Sequence, residues 1–475
     1  MSHAPPLFVD LDGTLIRTDL LVESWIALFK RKPWLALCAP FWLLRGKSHL
    51  KTRIAAHIVL AAEHLPYKRE LLAYLRSQHA SGRVLHLATA SHRRYAEAVA
   101  THLGLFQQVL ASDAVTNLSG SRKLAAIRAV AGDDFVYAGN DHVDLPIWNA
   151  ARAAIVVETP AQASRLIQTP VEAEFARTGM AWPRALFKAL RPHQWLKNVL
   201  VFLPLLPILT QASVAMGGAA LLAFIAFSLC ASSVYLVNDL SDLEADRAHP
   251  RKCRRPFAAG DLSCVVGLLL APLLLLAALL PMAFLPSGFA LVLGVYWLTT
   301  NAYTFVLKRY ALIDVITLAS LYTLRVIGGG MAIGVMPSFW MLAFSMFIFM
   351  SLALAKRYAE LHAMQALQRD AAEGRGYQVL DLGLVQQMGV ASGYMAVLVM
   401  ALYINSGEIV ARYGHAELLW LICPLLMLWI SRIWLKAVRG EMSDDPLVFA
   451  LRDRLSQIVL MLAAVLVLVA LVWHS

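Results

Sequence analysis

The sequence predicts two architectures on one chain: an N-terminal α/β domain of Rossmann-like type with a helical cap, and a C-terminal all-α bundle of nine transmembrane helices. Hydrophobic residues make up 59% of the 475 residues and charged residues only 15%, proportions that a soluble globular protein rarely shows. The apolar excess is uneven, because long apolar runs begin only near residue 198. We therefore expect a soluble domain over 1–160, a linker over 161–190 and a membrane domain over 191–475.

The membrane domain is predicted from the length of its apolar runs. A transmembrane helix needs about 20 mainly apolar residues. Nine segments approach this requirement, and the first is the weakest because it is short and contains Pro204 and Pro207. The predicted segments are 198–214, 216–237, 265–284, 287–307, 310–333, 338–355, 388–405, 417–435 and 456–473.

The basic residues of the connections indicate the orientation of these segments. The even-numbered connections hold nearly all of the loop Lys and Arg residues, whereas the odd-numbered connections hold only Arg412. Basic loops stay on the cytoplasmic side of a membrane. We therefore expect an integral protein of the inner (cytoplasmic) membrane, with the N-terminal domain and the even connections in the cytoplasm.

The second connection begins with Asn238, Asp239, Asp242 and Asp246. If the preceding helix continues, the three carboxylates at i, i+3 and i+7 share one face. Carboxylates so close raise one another's pKa unless a cation neutralises them. Mg²⁺ suits this role, because it binds a few carboxylates together with substrate phosphates. Four basic residues that can hold phosphate follow in the same connection: Arg247, Lys252, Arg254 and Arg255.

The spacing of these acids resembles the first aspartate-rich motif of the UbiA superfamily, whose members use Mg²⁺ to ionise a diphosphate. Aromatic prenyltransferases of that superfamily carry a second aspartate pair between helices four and five. This chain has Tyr303, Lys308, Arg309 and Asp314 there, a pattern that is similar to the branch making polyprenyl-phosphate phosphoribose. Other parts of the chain that resemble this branch are 191–198, 356–360, 376–377, 444–446 and 452–454.

The resemblance implies that 5-phosphoribose is transferred from phosphoribosyl diphosphate (PRPP) to a polyprenyl phosphate. Asp239, Asp242 and Asp246 would hold Mg²⁺. The expected substrate-binding residues are Lys197, Asn238, Lys252, Arg255, Tyr303, Lys308, Arg309, Asp314 and Arg325. Asp314 and Arg325 lie about three turns apart on one face of the fifth helix. Charges inside a bundle are commonly functional, although Arg325 can also be read as a structural contact between helices.

In the N-terminal domain, an apolar strand ends in Asp10-Leu-Asp12-Gly-Thr, which resembles the first motif of haloacid dehalogenase (HAD) phosphatases. Three further motifs follow in order: Thr89 at the end of a strand, Lys123 after a Gly-Ser-Arg turn, and an acidic loop at 139–144. The resemblance implies that Asp10 attacks the phosphate and that Asp12 protonates the leaving group. Thr89 and Lys123 would hold phosphoryl oxygens.

The same resemblance implies a second Mg²⁺ site, with ligands among Asp10, Asp12, Asn140 and Asp144. The acidic loop departs from the family pattern, because it opens Gly139-Asn140 where the family usually has Gly-Asp. An amide oxygen can still bind Mg²⁺ but contributes no charge.

Between the first two motifs, residues 34–44 form an apolar run bounded by Lys32 and Arg45. This run is too short to span a bilayer. Two interpretations stay open: a helical cap over the phosphatase site, or a cap that also rests on the membrane with its basic flanks at the headgroups.

Taken together, these features predict a bifunctional membrane enzyme that makes polyprenylphosphoryl-5-phosphoribose and then removes its 5-phosphate. The expected partners are PRPP, a polyprenyl phosphate and the membrane, without nucleic acid, and the sequence is compatible with a homo-oligomer. One alternative is an aromatic prenyltransferase using a polyprenyl diphosphate, with a regulatory or inactive HAD domain; the missing second aspartate pair argues against it. The other alternative is a transporter with a regulatory soluble domain. The charged motifs cluster on one face of the membrane rather than near the bilayer midplane, which argues against a transporter.

Overall fold

The computed structural model describes residues 4–209, 211–366, 376–407, 409, 415–442, 446, 449 and 453–472. Part of the orientation and motif predictions falls outside the described residues, at Arg412, Asp444, Asp445 and Arg452. The chain divides into two compact units. The first contains Met1–Leu190 and Tyr235–Pro272, and the second contains Arg191–Val234 and Leu273–Ser475.

The first unit is built on a parallel sheet. Its strands are β1 (Leu7–Val9), β2 (Leu85–His92), β3 (Gln108–Ser112), β4 (Val136–Gly139), β5 (Ala153–Val157) and β6 (Val171–Phe175). Their order across the sheet is β3-β2-β1-β4-β5-β6. Val9 of β1 is in register with Leu87 of β2 and with Ala138 of β4, and all three are buried. Apolar strands covered on both faces are typical of parallel sheets, and the α/β prediction is confirmed.

Helices connect these strands. In chain order they are α1 (Leu20–Arg31), α2 (Pro33–Ala36), α3 (Ala39–Leu44), α4 (Lys47–Ala55), α5 (Arg69–Ala80), α6 (Arg93–Leu103), α7 (Ser121–Ala131), α8 (Leu145–Trp148), α9 (Ala161–Ser164) and α10 (Trp182–Leu190). Short 3₁₀ turns lie at Ala62–His64 and His142–Asp144. The Asp19 carboxylate caps α1 by accepting the N–H groups of Leu21 and Val22. Helices α1–α4 lie between β1 and β2, where the sequence predicts a cap.

Residues 161–190, which we expected to be a linker, contain α9, β6 and α10 instead. Strand β6 extends the sheet, with Ala173 in register with Ile155 of β5. Glu172 and Glu174 are exposed on this edge strand. Charged residues are common on sheet edges, where they oppose aggregation, and here they make a strand look like a polar connection in the sequence.

The segment Tyr235–Pro272, called here the aspartate segment, also belongs to the first unit. It contains the end of α11 (Val214–Ser241), then α12 (Leu243–Ala248), a 3₁₀ turn (Lys252–Arg254) and the start of α13 (Cys264–Leu279). Asp242 interrupts the helix between α11 and α12, because its backbone leaves the helical conformation. The continuous helix assumed for the three aspartates is therefore broken at the middle one.

The second unit is helical. Its helices, besides the start of α11 and the end of α13, are α14 (Ser287–Phe305), α15 (Ile313–Ile333), α16 (Phe339–Ala366), α17 (Leu382–Ile404), α18 (Ile422–Val438) and α19 (Arg454–Val472). Its 3₁₀ segments are Pro192–Ile208, Leu280–Phe284, Leu307–Arg309, Val379–Asp381 and Ala416–Leu421.

Six helical stretches of the described residues are long and apolar enough to cross a membrane. They are Val214–Ser241, Cys264–Phe284, Ile313–Ile333, Phe339–Ala366, Val379–Ile404 and Glu417–Val438. Of the other three predicted segments, 287–307 and 456–473 correspond to α14 and α19, and 198–214 begins in a 3₁₀ segment. Pro204 and Pro207 lack the N–H groups that an α-helix needs there.

A glycine in α15 allows a close approach of the backbone. Gly329 lies so close to the 3₁₀ segment Pro192–Ile208 that a Cβ atom at this position would be 2.0 Å from the carbonyl oxygen of Val201. Val201 is fully buried. Because the obstructing atom belongs to the backbone, a rotamer change cannot relieve the clash. The close packing of the 3₁₀ segment, which carries Lys197 and Asn198, therefore requires glycine at position 329.

The close approach predicts that Gly329→Ala destabilises the protein by about 1–3 kcal/mol or more, since overpacking forces the backbone apart. Gly294→Ala in α14 is the matched control, because nothing lies within 4 Å of the added Cβ. That change should be neutral or slightly stabilising, since alanine favours helix. Thermal unfolding of the detergent-solubilised protein measures both, and equal melting temperatures would contradict the close packing.

Candidate active sites

The first candidate site lies at the carboxyl ends of the central strands of the sheet. Asp10 follows β1, Thr89 lies in β2, and the loop with Asn140 and Asp144 follows β4. Because β2, β1 and β4 are parallel neighbours, these ends meet at one edge, where ligands bind in open α/β sheets. The four motifs predicted from the sequence come together here, with Lys123 supplied by α7.

Lys123 joins two carboxylates. Its Nζ lies 2.8 Å from Asp10 Oδ1 and 3.6 Å from Asp144 Oδ1, and all three residues are buried. Burial opposes the charged form of Lys123, but the two carboxylates outweigh it and raise its pKa. Lys123 also donates to the Tyr137 hydroxyl at 2.9 Å, which in turn donates to Asp144 at 2.7 Å. Tyr137 could not be predicted as a site residue, since an aromatic residue in a strand usually belongs to the hydrophobic core.

Asp12 faces a different partner. Its carboxylate accepts hydrogen bonds from the Ser91 hydroxyl at 2.5 Å and from the Leu20 N–H at 3.0 Å. Burial, helped by the nearby charge of Asp19, raises the pKa of Asp12 to about 7. An acid with this pKa retains its proton in part of the molecules at neutral pH. Ser91 was not among the predicted site residues, although it lies two positions after Thr89, whose Oγ accepts the Ser91 N–H at 3.0 Å.

The departure at Asn140 has a visible consequence. Its side-chain oxygen accepts a hydrogen bond from Thr14 at 2.9 Å, and its backbone N–H donates to Asp144 Oδ2 at 3.0 Å. A Cβ on Gly139 would lie 2.6 Å from that same Asp144 oxygen, so glycine is needed for the loop to close on the carboxylate. Asp10 and Asp144 thus share one cation, Lys123, whereas the hydrogen bonds described for Asp12 come from Ser91 and Leu20.

The second candidate site is in the aspartate segment. Arg255 Nη1 lies 3.1 Å from Asp239 Oδ1 and 2.6 Å from Asp246 Oδ2, and both carboxylates are almost fully buried. Asp242, where the helix is interrupted, forms an ion pair with Lys30 of α1 at 2.9 Å.

The basic residues of this segment have separate surroundings. Arg247 forms a two-pronged ion pair with Glu23 of α1, at 2.8 and 2.5 Å, and its Nε donates to the Ala258 carbonyl at 3.0 Å. Lys252 is exposed in its 3₁₀ turn, and Asn238 is half-buried near the end of α11.

Within the part of the chain that the structure describes, no three His, Cys, Asp or Glu side chains are grouped to hold a metal ion. Two carboxylates, rather than the predicted three, therefore converge.

The third candidate site lies in the second unit around Asp314. This fully buried carboxylate lies 2.6 Å from Arg357 Nε and accepts the Tyr377 hydroxyl at 2.8 Å. Arg357 also donates to the Tyr303 hydroxyl at 3.1 Å and pairs with Glu360. Arg357 was part of a quoted motif but not a predicted site residue, because its partners Asp314 and Tyr303 come from other helices.

Arg325 belongs to a separate cluster. It donates to Asn198 Oδ1 at 2.7 Å, to the Leu321 carbonyl at 2.5 Å and to the Tyr296 hydroxyl at 2.9 Å. These contacts link α15 to α14 and to the 3₁₀ segment, which favours the structural interpretation of Arg325. Lys197 is buried, with its Nζ 5.9 Å from the ring centre of Tyr322.

The two basic residues between α14 and α15 lie in a 3₁₀ turn, Leu307–Arg309. Lys308 is half-buried, and Arg309 is exposed. The predicted cations therefore differ in burial: Lys252 and Arg309 are exposed, Lys308 is half-buried, and Lys197 and Arg325 are buried.

Comparison with known families identifies two domains on the chain. The UbiA prenyltransferase family matches residues 200–458, and the haloacid dehalogenase-like hydrolases match residues 7–148. Because the first match spans more than half of the chain, the protein belongs to the UbiA prenyltransferase family. It is an integral membrane enzyme that carries a HAD-like domain at its N-terminus, as the motifs predicted.

Three relatives show how far the similarity extends. "Uncharacterized protein y4nM" of Sinorhizobium fredii is 37% identical over 459 residues, covering 95% of this chain and 88% of the relative. "Nodulation protein NoeC" of Azorhizobium caulinodans is 35% identical over 291 residues, covering 60% and 92%. "Decaprenyl-phosphate phosphoribosyltransferase" of Mycolicibacterium smegmatis is 33% identical over 282 residues, covering 58% and 88%. The first relative therefore shares nearly the full length of this chain.

Proposed function

We propose that residues 191–475 transfer 5-phosphoribose from PRPP to a polyprenyl phosphate, and that residues 1–160 then remove the 5-phosphate to leave polyprenylphosphoryl-ribose. The observation that carries the transferase half is the convergence of two buried carboxylates, Asp239 and Asp246, on one cation. The similarity to a decaprenyl-phosphate phosphoribosyltransferase supports this donor and acceptor.

A divalent cation suits the aspartate segment, since Mg²⁺ binds through one or two carboxylates and completes its shell with substrate phosphates. Asp239 and Asp246 would hold it, and Arg255 would turn from them to the diphosphate. Bound there, Mg²⁺ supplies positive charge to the departing pyrophosphate. Asp242 would have to leave Lys30 before it could join the other two.

The transfer breaks the bond between ribose C1 and the pyrophosphate oxygen, and forms a bond from C1 to an oxygen of the lipid phosphate. The lipid phosphate is already a nucleophile, so no catalytic base is required. The protein must hold it near C1, a task that suits Lys197, Lys308 and Arg309. The single Asp314, already neutralised by Arg357, supports this donor over a polyprenyl diphosphate with a second metal-binding aspartate pair.

In the HAD domain, the Asp10 carboxylate would attack phosphorus while the bond to the ribose oxygen breaks and Asp12 gives that oxygen its proton. Water would then hydrolyse the aspartyl phosphate and release inorganic phosphate. Lys123 and Thr89 would hold the phosphoryl oxygens. A pKa of about 7 supports the acid role of Asp12. Asp10, Asp144 and Asn140 would hold Mg²⁺, which supplies charge to the phosphoryl group.

For topology, we propose nine spans in the inner membrane, with the three predicted segments outside the six long helices completing the bundle. The basic even-numbered connections support a cytoplasmic HAD domain. The aspartate segment would then lie in the cytoplasm too, where PRPP can reach it.

The metal assignment predicts that Asp239→Asn or Asp246→Asn lowers phosphoribosyl transfer by several orders of magnitude, because each change removes charge that holds the cation. Glu244→Gln is the control, since Glu244 lies in the same segment but is exposed, and it should keep the parental rate. Purified membranes with radiolabelled PRPP and polyprenyl phosphate provide the assay. Parental rates in both Asn variants would contradict the metal assignment. Transfer of a prenyl group from a polyprenyl diphosphate to an aromatic acceptor would contradict PRPP as the donor.

The phosphatase assignment predicts a pH dependence. Asp12 must be protonated to act as an acid, so hydrolysis of a soluble phosphomonoester should fall as the pH rises through about 7. Ser91 donates to the ionised Asp12, and its loss in Ser91→Ala should raise that pKa and move the fall to higher pH by about one unit. The pH profile of kcat/KM measures the shift. If kcat/KM of Ser91→Ala falls at the same pH as the parental protein, or at a lower pH, Asp12 is not the acid.

A further inference from the structure

The cap helices α2 and α3 have two faces that differ in exposure. Ala36, Ala39 and Trp42 are buried in an apolar cluster with residues of α1 and α4, so the cap has its own core. The opposite face is called here the cap patch, and its members are Trp34, 66% exposed, Leu37, 68%, Phe41, 69%, and Leu44, 85%. They recur every three or four residues along the apolar stretch Pro33–Leu44, with Leu37 in the turn between α2 and α3.

Large apolar side chains grouped in this way differ from single exposed residues, which are common on soluble proteins. A contiguous exposed apolar patch with a polar rim marks a binding surface. The residues that rim the cap patch are basic and exposed: Arg31, Lys32, Arg45 and Lys47. Trp, Phe and Leu on one face with Lys and Arg at the edges are typical of helices that lie in a membrane interface.

Contacts within the first unit bring the start of the cap to the end of a membrane span. Lys30, three residues before α2, donates to the carbonyl of Ser241 at 2.7 Å. Ser241 is the last residue of the span Val214–Ser241. The buried Glu23–Arg247 pair holds α1 to the same segment. The end of α1, from which the chain enters α2, therefore contacts the C-terminal end of α11, the helix that contains this candidate span.

We infer that the cap patch is a lipid-docking surface that rests on the bilayer into which this chain is inserted. Its apolar side chains enter the boundary between headgroups and acyl chains, and its basic rim faces anionic headgroups. The HAD site is thereby held at the membrane surface. The choice of a lipid-linked phosphate as its substrate rests on the proposed function, but the docking itself does not.

The direct test replaces Phe41 with the photo-crosslinker p-benzoylphenylalanine in the full chain, reconstituted in bilayers of phosphatidylethanolamine and phosphatidylglycerol. Irradiation should give a phospholipid adduct at position 41, detectable by mass spectrometry. The matched control carries the same group at Val115, an apolar residue of the HAD domain that is 88% exposed and lies outside the patch. It should give no lipid adduct.

A second measurement asks whether docking serves the HAD site. Phe41→Glu should raise the KM for the lipid-linked phosphate by about tenfold, the factor expected when a buried aromatic contact with lipid is lost. Hydrolysis of a soluble phosphomonoester should not change, since Phe41 is solvent-exposed in the cap and touches none of the candidate site residues. Val115→Glu should leave both rates at the parental level.

The adduct decides the inference by itself. No lipid adduct at position 41, or an adduct to a second copy of the chain instead, overturns it. A lipid adduct together with an unchanged KM for the lipid-linked phosphate retains the docking surface and overturns its role in bringing that substrate to the HAD site. A lipid adduct with no hydrolysis of the lipid-linked phosphate by the parental protein retains the docking surface and overturns the proposed substrate.

Discussion

Buried carboxylates need a neighbouring cation, and each candidate site of this protein is organised around one such cation. Lys123 serves two acids of the HAD domain, Arg255 serves two acids of the aspartate segment, and Arg357 serves the single acid of α15. An uncompensated buried charge is strongly destabilising, so these pairs restrict how the surrounding loops can fold. The same pairs are suited to phosphate chemistry, because an arriving diphosphate or metal ion can take the place of either partner.

The aspartate segment connects the two chemistries. It belongs to the transferase by family, since the UbiA match spans it, yet it packs with the HAD domain in one compact unit. Its charged residues meet α1 in three ion pairs: Arg247 with Glu23, Asp242 with Lys30 and Glu244 with Arg31. If the HAD domain acts on the transferase product, as proposed, holding it beside the transferase motif raises its effective concentration at that product. This arrangement gives a physical reason for carrying both domains on one chain.

The sequence identified the family, the α/β domain and the motif residues, because strand ends and acid spacing are local features. Asp10 and Lys123 meet as the motifs predicted, since parallel neighbouring strands bring their ends to one edge. The partner of Asp242 could not be predicted, because Lys30 approaches it only after the chain has folded. Strand β6 was missed because its exposed acids suggest a connection, and Tyr137 because an aromatic residue in a strand suggests core. Contacts that form only in the tertiary structure produce no periodic pattern in the sequence.

The central claim is that the HAD domain acts on the product of the transferase, and Asp10→Asn tests it most directly. This change removes the proposed nucleophile but leaves Lys123 beside Asp144 and does not alter the aspartate segment. Membranes carrying it, supplied with PRPP and polyprenyl phosphate, should accumulate a lipid that releases ribose 5-phosphate on mild acid hydrolysis. Lipid from the parental enzyme should release ribose. If both lipids release only ribose 5-phosphate, the HAD domain does not act on this product and the coupled account is wrong.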